Sequence, residues 1–269
     1  MRVERVLTDL KGPSAFVPTM GALHAGHESL IRMARELCDE VVLSVFVNPL
    51  QFEDKDDLNK YPKTPEVDEQ IARSAGATIL WRPEVSDIYP GDEVKLSAGE
   101  LGSKFEGASR PGHFDGVLTV VNRLFDLVKP KYAIFGKKDF QQLFLIKKMA
   151  AQLHKEIEIV SAPTIRESGG LALSSRNVRL SSSGRQNAQS ISRVLSSAAT
   201  KDSLQDMRIE LSQLEKLASF KLDYAEIIDE DTFEIAGDNT IRARAIVAGW
   251  IDGVRLIDNM AMVRTLVRA

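Results

Sequence analysis

The chain of 269 residues carries one cysteine, Cys38, four histidines and only 6% aromatic residues. A single thiol cannot form an internal disulfide, so a stapled secreted scaffold is excluded and a reducing compartment is expected. Neither charge sign dominates: 35 basic against 38 acidic side chains leave a formal charge of −3. That balance offers no global attraction to nucleic acid or to an anionic membrane. Long apolar runs are missing as well. The opening "MRVERVLTDL" is charged and has no signal-like apolar core, and no run approaches membrane-spanning length. The expectation is a cytoplasmic globular protein with neither membrane nor nucleic acid among its partners. Cys38 falls at the spacing Leu30, Ile31, Ala34, Leu37, Cys38, which reads as the buried stripe of a helix rather than the setting of a reactive thiol.

Apolar residues are plentiful at 43%, enough for one large domain or two ordinary ones. In the first part, apolar runs alternate with helical patterns. "SAFVPT", "EVVLSVFVNP", "ATILWRP", "KYAIFG" and "IEIVSAP" read as buried strands. Between them, "TPEVDEQIARSAG" offers Thr64 as N-cap, Pro65 in the first turn and Gly76 as stop. "GVLTVVNRLFDLVKP" places Val117, Val120, Val121, Leu124, Phe125 and Val128 on one face, with Pro130 as stop, and Asp139 opens a further helix. Recurring strand–helix–strand units predict an α/β fold, a Rossmann-like doubly wound parallel sheet that binds ligands at the carboxyl ends of its strands. From about Arg166 a Gly/Ser-rich stretch leads into polar helices and three strand-like runs, "LDYAEIID", "RAIVAGWID" and "VRLIDNMAM", with Asp252-Gly253 as a hairpin turn. The expected organisation is a nucleotide- and substrate-binding domain over 1–166 and a smaller α+β lid over 167–269.

Two of the four histidines, His24 and His27, sit three residues apart in "VPTMGALHAGHESLIRMA". A strand ending at Thr19, a turn at Gly21 and a helix beginning near Gly26 would point backbone N–H groups at the sheet edge, a geometry that binds anions. At that spacing both imidazoles lie on one side of the helix start, and Gly26 lets a flat ligand approach. The pair alone leaves other readings open. Such histidines also serve as caps, and a metal pair would need a third ligand that the sequence does not name.

The flanking residues narrow this. "TMGALHAGHESL" resembles the HIGH-type signature of nucleotidyltransferases, with alanine at one small apolar position. "SVFVNPLQFE", "FEGASRPGHFDGVLTVVNRLF", "FGKKDFQQL" and "GLALSSRNVRLS" then follow in the order and at the spacing of the pantothenate synthetase, or pantoate–β-alanine ligase, family. "LDYAEIID" and "RLIDN" are similar to that family's C-terminal domain, so the resemblance covers nearly the whole chain. It implies a two-step ligase. Pantoate and ATP give pantoyl adenylate and pyrophosphate, and β-alanine then gives pantothenate and AMP.

Site residues follow from that resemblance, position by position. Met20, Gly21, Ala22, Leu23, His24, Ala25, Gly26 and His27 match one ATP-binding stretch, with both histidines at the phosphates and His27 as proton donor. Gly136, Lys137, Lys138 and Asp139 match a second, although the family commonly has glutamate where Lys137 stands. Lys138 is a candidate cation for the transition state, and Asp139 can accept from ribose hydroxyls while capping the next helix. Ile165 matches a position whose backbone meets adenine. Leu173 replaces the family's usual methionine ahead of Ser174, Ser175 and Arg176, whose hydroxyls and guanidinium suit the β- and γ-phosphates. Gln51 and Gln142 match the pantoate glutamines, Gln51 also reaching β-alanine, with Asn48 and Phe52 beside it. Arg110 and His113 either close that pocket or support a subunit contact, and the acidic stretch Asp54–Pro62 reads as a solvated flap. Mg²⁺ is expected on the ATP phosphates rather than in a protein cage, and the family is typically a homodimer. Two rivals remain, another HIGH-type nucleotidyltransferase and a nucleotide-binding regulator, or RNA-binding relative of the tRNA synthetases, with a dead site. The first leaves Gln51 and Gln142 unexplained, the second both histidines, Lys138 and Ser174–Arg176.

Overall fold

Ala15, Phe16, Val17, Val41, Val42, Leu43, Ile79 and Leu80 are wholly shielded from solvent. Such continuous apolar runs suit strands covered on both faces. The computed structural model describes residues 1–7, 10–52, 55–91 and 93–262. Six strands, β1 (Arg2–Glu4), β2 (Ser14–Thr19), β3 (Glu40–Val45), β4 (Ile79–Trp81), β5 (Tyr132–Gly136) and β6 (Glu158–Ala162), pair in parallel in the order β1-β4-β3-β2-β5-β6. Their helices are α1 (Ala25–Leu37), α2 (Lys55–Asn59), α3 (Pro65–Ala75), α4 (Val85–Ile88), α5 (Glu106–Ser109), α6 (His113–Val128) and α7 (Phe140–Leu153). From β2 the chain moves outward through β3 to β4, then returns to β5 on the other side of β2. The switch point therefore lies between the carboxyl ends of β2 and β5, where open parallel sheets bind ligands.

Several local expectations need correction. α6 starts at His113 and buries Phe114 and Leu118 besides the predicted stripe, so it is covered on most of its circumference. The α1 stripe ends at Ala34: Leu37 is exposed, and Cys38 is a half-buried C-cap whose thiol burial holds above its ordinary range. Thr64 starts α3, but its hydroxyl makes no cap bond to the helix backbone and is given instead to Asp68. Of the acidic stretch Asp54–Pro62, Asp54 lies outside the described residues and Lys55–Asn59 forms α2.

The chain divides into two compact units, Met1–Lys137 with Gln141–Pro163, and Lys138–Phe140 with Thr164–Ala269. In the second unit β7 (Lys221–Asp229), β8 (Ala243–Ile251) and β9 (Val254–Met262) form an antiparallel sheet. One face packs on α8 (Ser182–Ala198) and α9 (Leu204–Leu211) through Ile191, Leu195, Met207, Ala245 and Val247. The β8–β9 turn is the expected two-residue hairpin: Asp252 and Gly253 take φ of +53° and +74°, the left-handed pair that matches strand twist. Among the described residues, no helix is long and apolar enough to cross a membrane.

Candidate active site

β2 ends at Thr19 and the chain turns sharply. Gly21 and Ala22 take left-handed φ values of +82° and +49°, and His24 then caps α1. The turn's N–H groups do not stay open for an anion, as the sequence led one to expect. Gly21 donates to the Thr19 hydroxyl at 3.3 Å, Ala22 and Leu23 donate to the Asp68 carboxylate at 3.2 and 2.8 Å, and the histidines take the next ones. His24 Nδ1 accepts from Gly26 N–H at 3.1 Å, while His27 Nδ1 accepts from His24 N–H at 3.3 Å. This reciprocal cap brings the rings to 4.1 Å between centroids, tilted 39° to each other. A nitrogen that accepts carries no proton, so each neutral ring holds its proton on Nε2. Both histidines thereby become Nε2–H donors, and the capping and phosphate-handling readings are compatible.

At the end of β3, Asn48 is only 1% exposed and caps a 3₁₀ turn over Pro49–Gln51. Its Nδ2 donates to Gln51 Oε1 at 3.1 Å and to Gly116 O at 3.0 Å, and its Oδ1 accepts from Leu50 N–H at 3.2 Å and the Tyr89 hydroxyl at 2.7 Å. Asn48 thus has its polar atoms committed within the protein and acts on any ligand through Gln51. Gly116 is needed for this approach, since a Cβ there would stand 2.2 Å from the Leu50 carbonyl. Arg110 Nη1 faces His113 Nε2 at 3.0 Å, and His113 Nδ1 faces Gln51 O at 2.9 Å. Because arginine only donates, His113 Nε2 accepts and Nδ1–H is given to the Gln51 carbonyl. Arg110 reaches the same carbonyl at 3.4 Å. Both residues hold Gln51 in place. Phe52 rests edge-on against Tyr61.

The two adjacent glutamines of α7 separate clearly. Gln141 is buried, accepts from Glu106 N–H and donates to Leu101 O and Lys104 O. Gln142 is half-buried and hydrogen-bonds to no described side chain or loop. Of the β5 loop, Lys137 N–H extends the sheet by donating to Ala162 O, whereas Lys138, Asp139 and Phe140 group with the second unit.

Within that unit, Asn259 Nδ2 donates to Lys138 O at 2.8 Å, and Phe140 stacks on Phe233 and lies 4.3 Å from the Arg244 guanidinium. Arg244 donates onward to Asn259 Oδ1 and Glu230. Asp139 is exposed and lies 3.6 Å from Lys138 Nζ. Ile165 and Leu173 face each other through Leu173 N–H to Ile165 O, beside a bridge between Arg166 and Ala172. Arg166 anchors this hairpin with a two-pronged pair to Asp258 at 2.6 and 2.8 Å. Ser174 follows and caps a 3₁₀ turn, its Oγ accepting from Arg176 N–H; Ser175 begins that turn. One unit thus gathers Met20–His27 at β2 and Asn48 and Gln51 at β3, with Gly136, Lys137 and Gln142. The other gathers Ile165, Leu173–Arg176, Lys138 and Asp139.

Sequence reasoning missed Asp68, Tyr89, Gly116 and Asn259. Only "HFDG" and "RLIDN" held a trace of the last two, as unexplained members of a recognised block. A family model described as Pantoate-beta-alanine ligase matches residues 2–261. The chain is 45% identical to the pantothenate synthetase of Acidothermus cellulolyticus, across 94% of this chain and 86% of the relative. It is 42% identical to that of Rhizorhabdus wittichii, across 97% and 99%. Its fold is similar to the crystal structure of pantothenate synthetase from Thermus thermophilus, with TM-score 0.92, 40% identity and coverage of 98% and 100%. A pantoate-beta-alanine ligase from Francisella tularensis, complexed with beta-gamma ATP and beta-alanine, gives TM-score 0.80 at 34% identity and 97% coverage of each chain.

Proposed function

Because the chain belongs to the pantoate–beta-alanine ligase family, we propose that it joins pantoate to β-alanine in two steps driven by ATP. A carboxylate oxygen of pantoate attacks the α-phosphorus. The bond to the bridging oxygen breaks, and pyrophosphate leaves with that electron pair. The amine of β-alanine then attacks the acyl carbon of pantoyl adenylate. AMP departs, and the nitrogen loses a proton as the amide forms.

Negative charge moves onto the leaving pyrophosphate during the first step, so fixed donors there lower the barrier. His24 and His27 supply Nε2–H groups whose direction is set by the reciprocal cap, and His27 is the proton donor that hydrogen-bonds to the developing charge without giving its proton up. Lys138, Ser174, Ser175 and Arg176 bind the phosphate oxygens. Met20, Gly21, Ala22, Leu23, Ala25 and Gly26 line the nucleotide, together with Gly136, Lys137, Leu173 and the Ile165 backbone, while Asp139 accepts from the ribose. Gln51 and Gln142 read pantoate hydroxyls with their carboxamide groups, and Asn48 orients the first of them. These donors suit phosphate oxygens rather than a cation, so Mg²⁺ enters with ATP, carried on its phosphates and waters. We place the enzyme in the cytoplasm as a homodimer, a state that sedimentation as a single chain would contradict.

The observation that carries this reading is the capped histidine pair at the sheet's switch point, in a chain matched to the family along almost its whole length. The deciding experiment follows pyrophosphate release from MgATP with pantoate, with and without β-alanine. A pantoate-dependent burst of about one pyrophosphate per site, becoming steady amide and AMP production only with β-alanine, is expected. Silence with pantoate despite ATP binding refutes the ligase.

A further inference from the structure

We propose that Asp68 is a positioning residue for adenylate formation: its buried carboxylate locks the left-handed turn that aims His24 and His27. The proposal deepens the ligase reading and rests on it. Asp68 lies on α3, well away in sequence from the histidines, and is 2% exposed. Its donors are Ala22 N–H on Oδ2, and Leu23 N–H and the Thr64 hydroxyl on Oδ1. Among the described residues, no lysine or arginine pairs with it. A buried carboxylate without a cation is costly, and a neutral residue would pack α3 more cheaply. What the charge does is hold two successive peptide groups.

Those peptides need holding. Glycine tolerates the φ of +82° at position 21, but Ala22 at +49° has a Cβ in a region that L-residues other than asparagine and aspartate seldom enter. The turn also lies directly on the carboxylate. A Cβ on Gly21 would stand 2.9 Å from Asp68 Oδ2 and 2.9 Å from Val45 Cγ1. The next peptide N–H after Leu23 is that of His24, and it points at His27 Nδ1. Asp68 therefore fixes the Leu23 peptide, which sets the His24 N–H, which sets the His27 ring and the direction of its Nε2–H. An acid in the first turn of α3 would ordinarily be read as a partner for the helix dipole. Here it faces the other way, into a turn of the neighbouring strand.

The test compares wild type with Asp68→Asn, which keeps shape but replaces one acceptor oxygen by an NH₂ that cannot accept. Misplacing catalytic groups by about 1 Å costs on the order of 10²-fold. We expect kcat for pantoate-dependent pyrophosphate release to fall by about that factor, with the ATP KM within a few-fold. We also expect the His24 and His27 ring-nitrogen NMR signals to leave the pure Nε2–H pattern. A folded D68N with kcat within two-fold of wild type overturns the proposal. So does a loss of kcat with unchanged imidazole signals, which marks a general structural role. If D68N does not fold, D68N/A22G carries the test, because glycine at 22 removes the backbone strain. It should fold and release pyrophosphate several-fold more slowly than A22G alone, and equal rates overturn the idea. Should wild type itself release no pyrophosphate with pantoate, the ligase reading fails, while the imidazole signals still judge Asp68.

Discussion

Asn48→Ala removes a side chain that is almost fully buried and makes four hydrogen bonds. The Gly116 carbonyl is left in the interior with its side-chain donor gone. The Leu50 amide and the half-buried Tyr89 hydroxyl lie nearer the surface and recover part of their bonding from water. Because Gly116 O keeps its helical N–H partner within α6, the cost is that of four lost bonds at about 0.5–1.5 kcal/mol each, partly recovered from water, or about 2–4 kcal/mol of stability in the N-terminal unit. The effect on substrate is separate. Gln51 Oε1 loses its fixed donor, so the carboxamide turns freely and no longer presents one group to pantoate. A neutral hydrogen bond of about 0.5–1.5 kcal/mol corresponds to a rise in pantoate KM of roughly 2- to 13-fold, with the ATP KM unchanged. Asn48→Asp fills the same space but sets an anionic oxygen against Gly116 O and Gln51 Oε1, so it should raise the pantoate KM further without leaving a cavity. Burial holds the Tyr89 phenol far above its ordinary range, so Tyr89 remains a donor to Asn48 and the effect should not vary with pH near neutrality. The assay is initial-rate AMP formation across pantoate concentrations at saturating ATP and β-alanine, paired with thermal unfolding. A variant that melts earlier yet keeps the wild-type pantoate KM would show that Asn48 only supports the fold and does not orient Gln51 for substrate.

His27→Ala should slow pyrophosphate release by about 10²–10³-fold, as removal of a transition-state donor does, while binding of a non-hydrolysable ATP analogue weakens less than tenfold; equal losses in titration and rate contradict the donor role. Asn259→Ala takes the donor from the Lys138 carbonyl and the acceptor from Arg244, so kcat/KM for ATP should fall about tenfold with the pantoate KM steady; a matching rise in pantoate KM would refute this. Burial pushes the Asp229 carboxyl up, but the peptide N–H groups of Asp231 and Thr232 outweigh it and hold the group below its ordinary 3.8. Its contribution is therefore complete above pH 3.8 and disappears as pH falls through the lower folded-state value. Asp229→Asn should show a shallower loss of stability over that acid range, and parallel acid-unfolding curves would exclude it.

Much of the fold was legible because burial on both faces writes itself as an unbroken apolar run, as in β3, and because Asp252-Gly253 can take the φ values that a two-residue hairpin demands. β1 was not. Arg2–Glu4 is an exposed edge strand whose register depends on pairing with Ile79–Trp81, a contact that no local pattern encodes. The grouping of Lys138–Phe140 with the second unit was equally hidden, since the local sequence reads only as strand, turn and helix. For the proposed site, motif blocks named the histidines, Gln51 and Ser174–Arg176 as candidates. Asp68 left no trace, since it reads as an ordinary first-turn acid, and Gln141 cannot be told from Gln142 until one is seen bonded to Glu106, Leu101 and Lys104.

Capping and catalysis are usually competing explanations for a histidine at a helix start. In the reaction we propose for this chain, the first is a condition for the second. A serine or aspartate at position 24 would satisfy the orphan N–H groups of α1 as well, but either would turn its only polar group inward and leave nothing for a substrate. Imidazole has two nitrogens on opposite sides of a rigid ring, so the bond accepted at Nδ1 determines both the tautomer and the direction of Nε2–H. Reciprocity strengthens the constraint. His27 accepts the peptide N–H of the residue whose own ring caps the helix, so neither ring can rotate without breaking a backbone bond. In the proposed adenylation, the helix start thus prepares two donors in advance of the phosphates, and little reorganisation is left for the moment when charge develops. That is a physical reason for histidine at both positions.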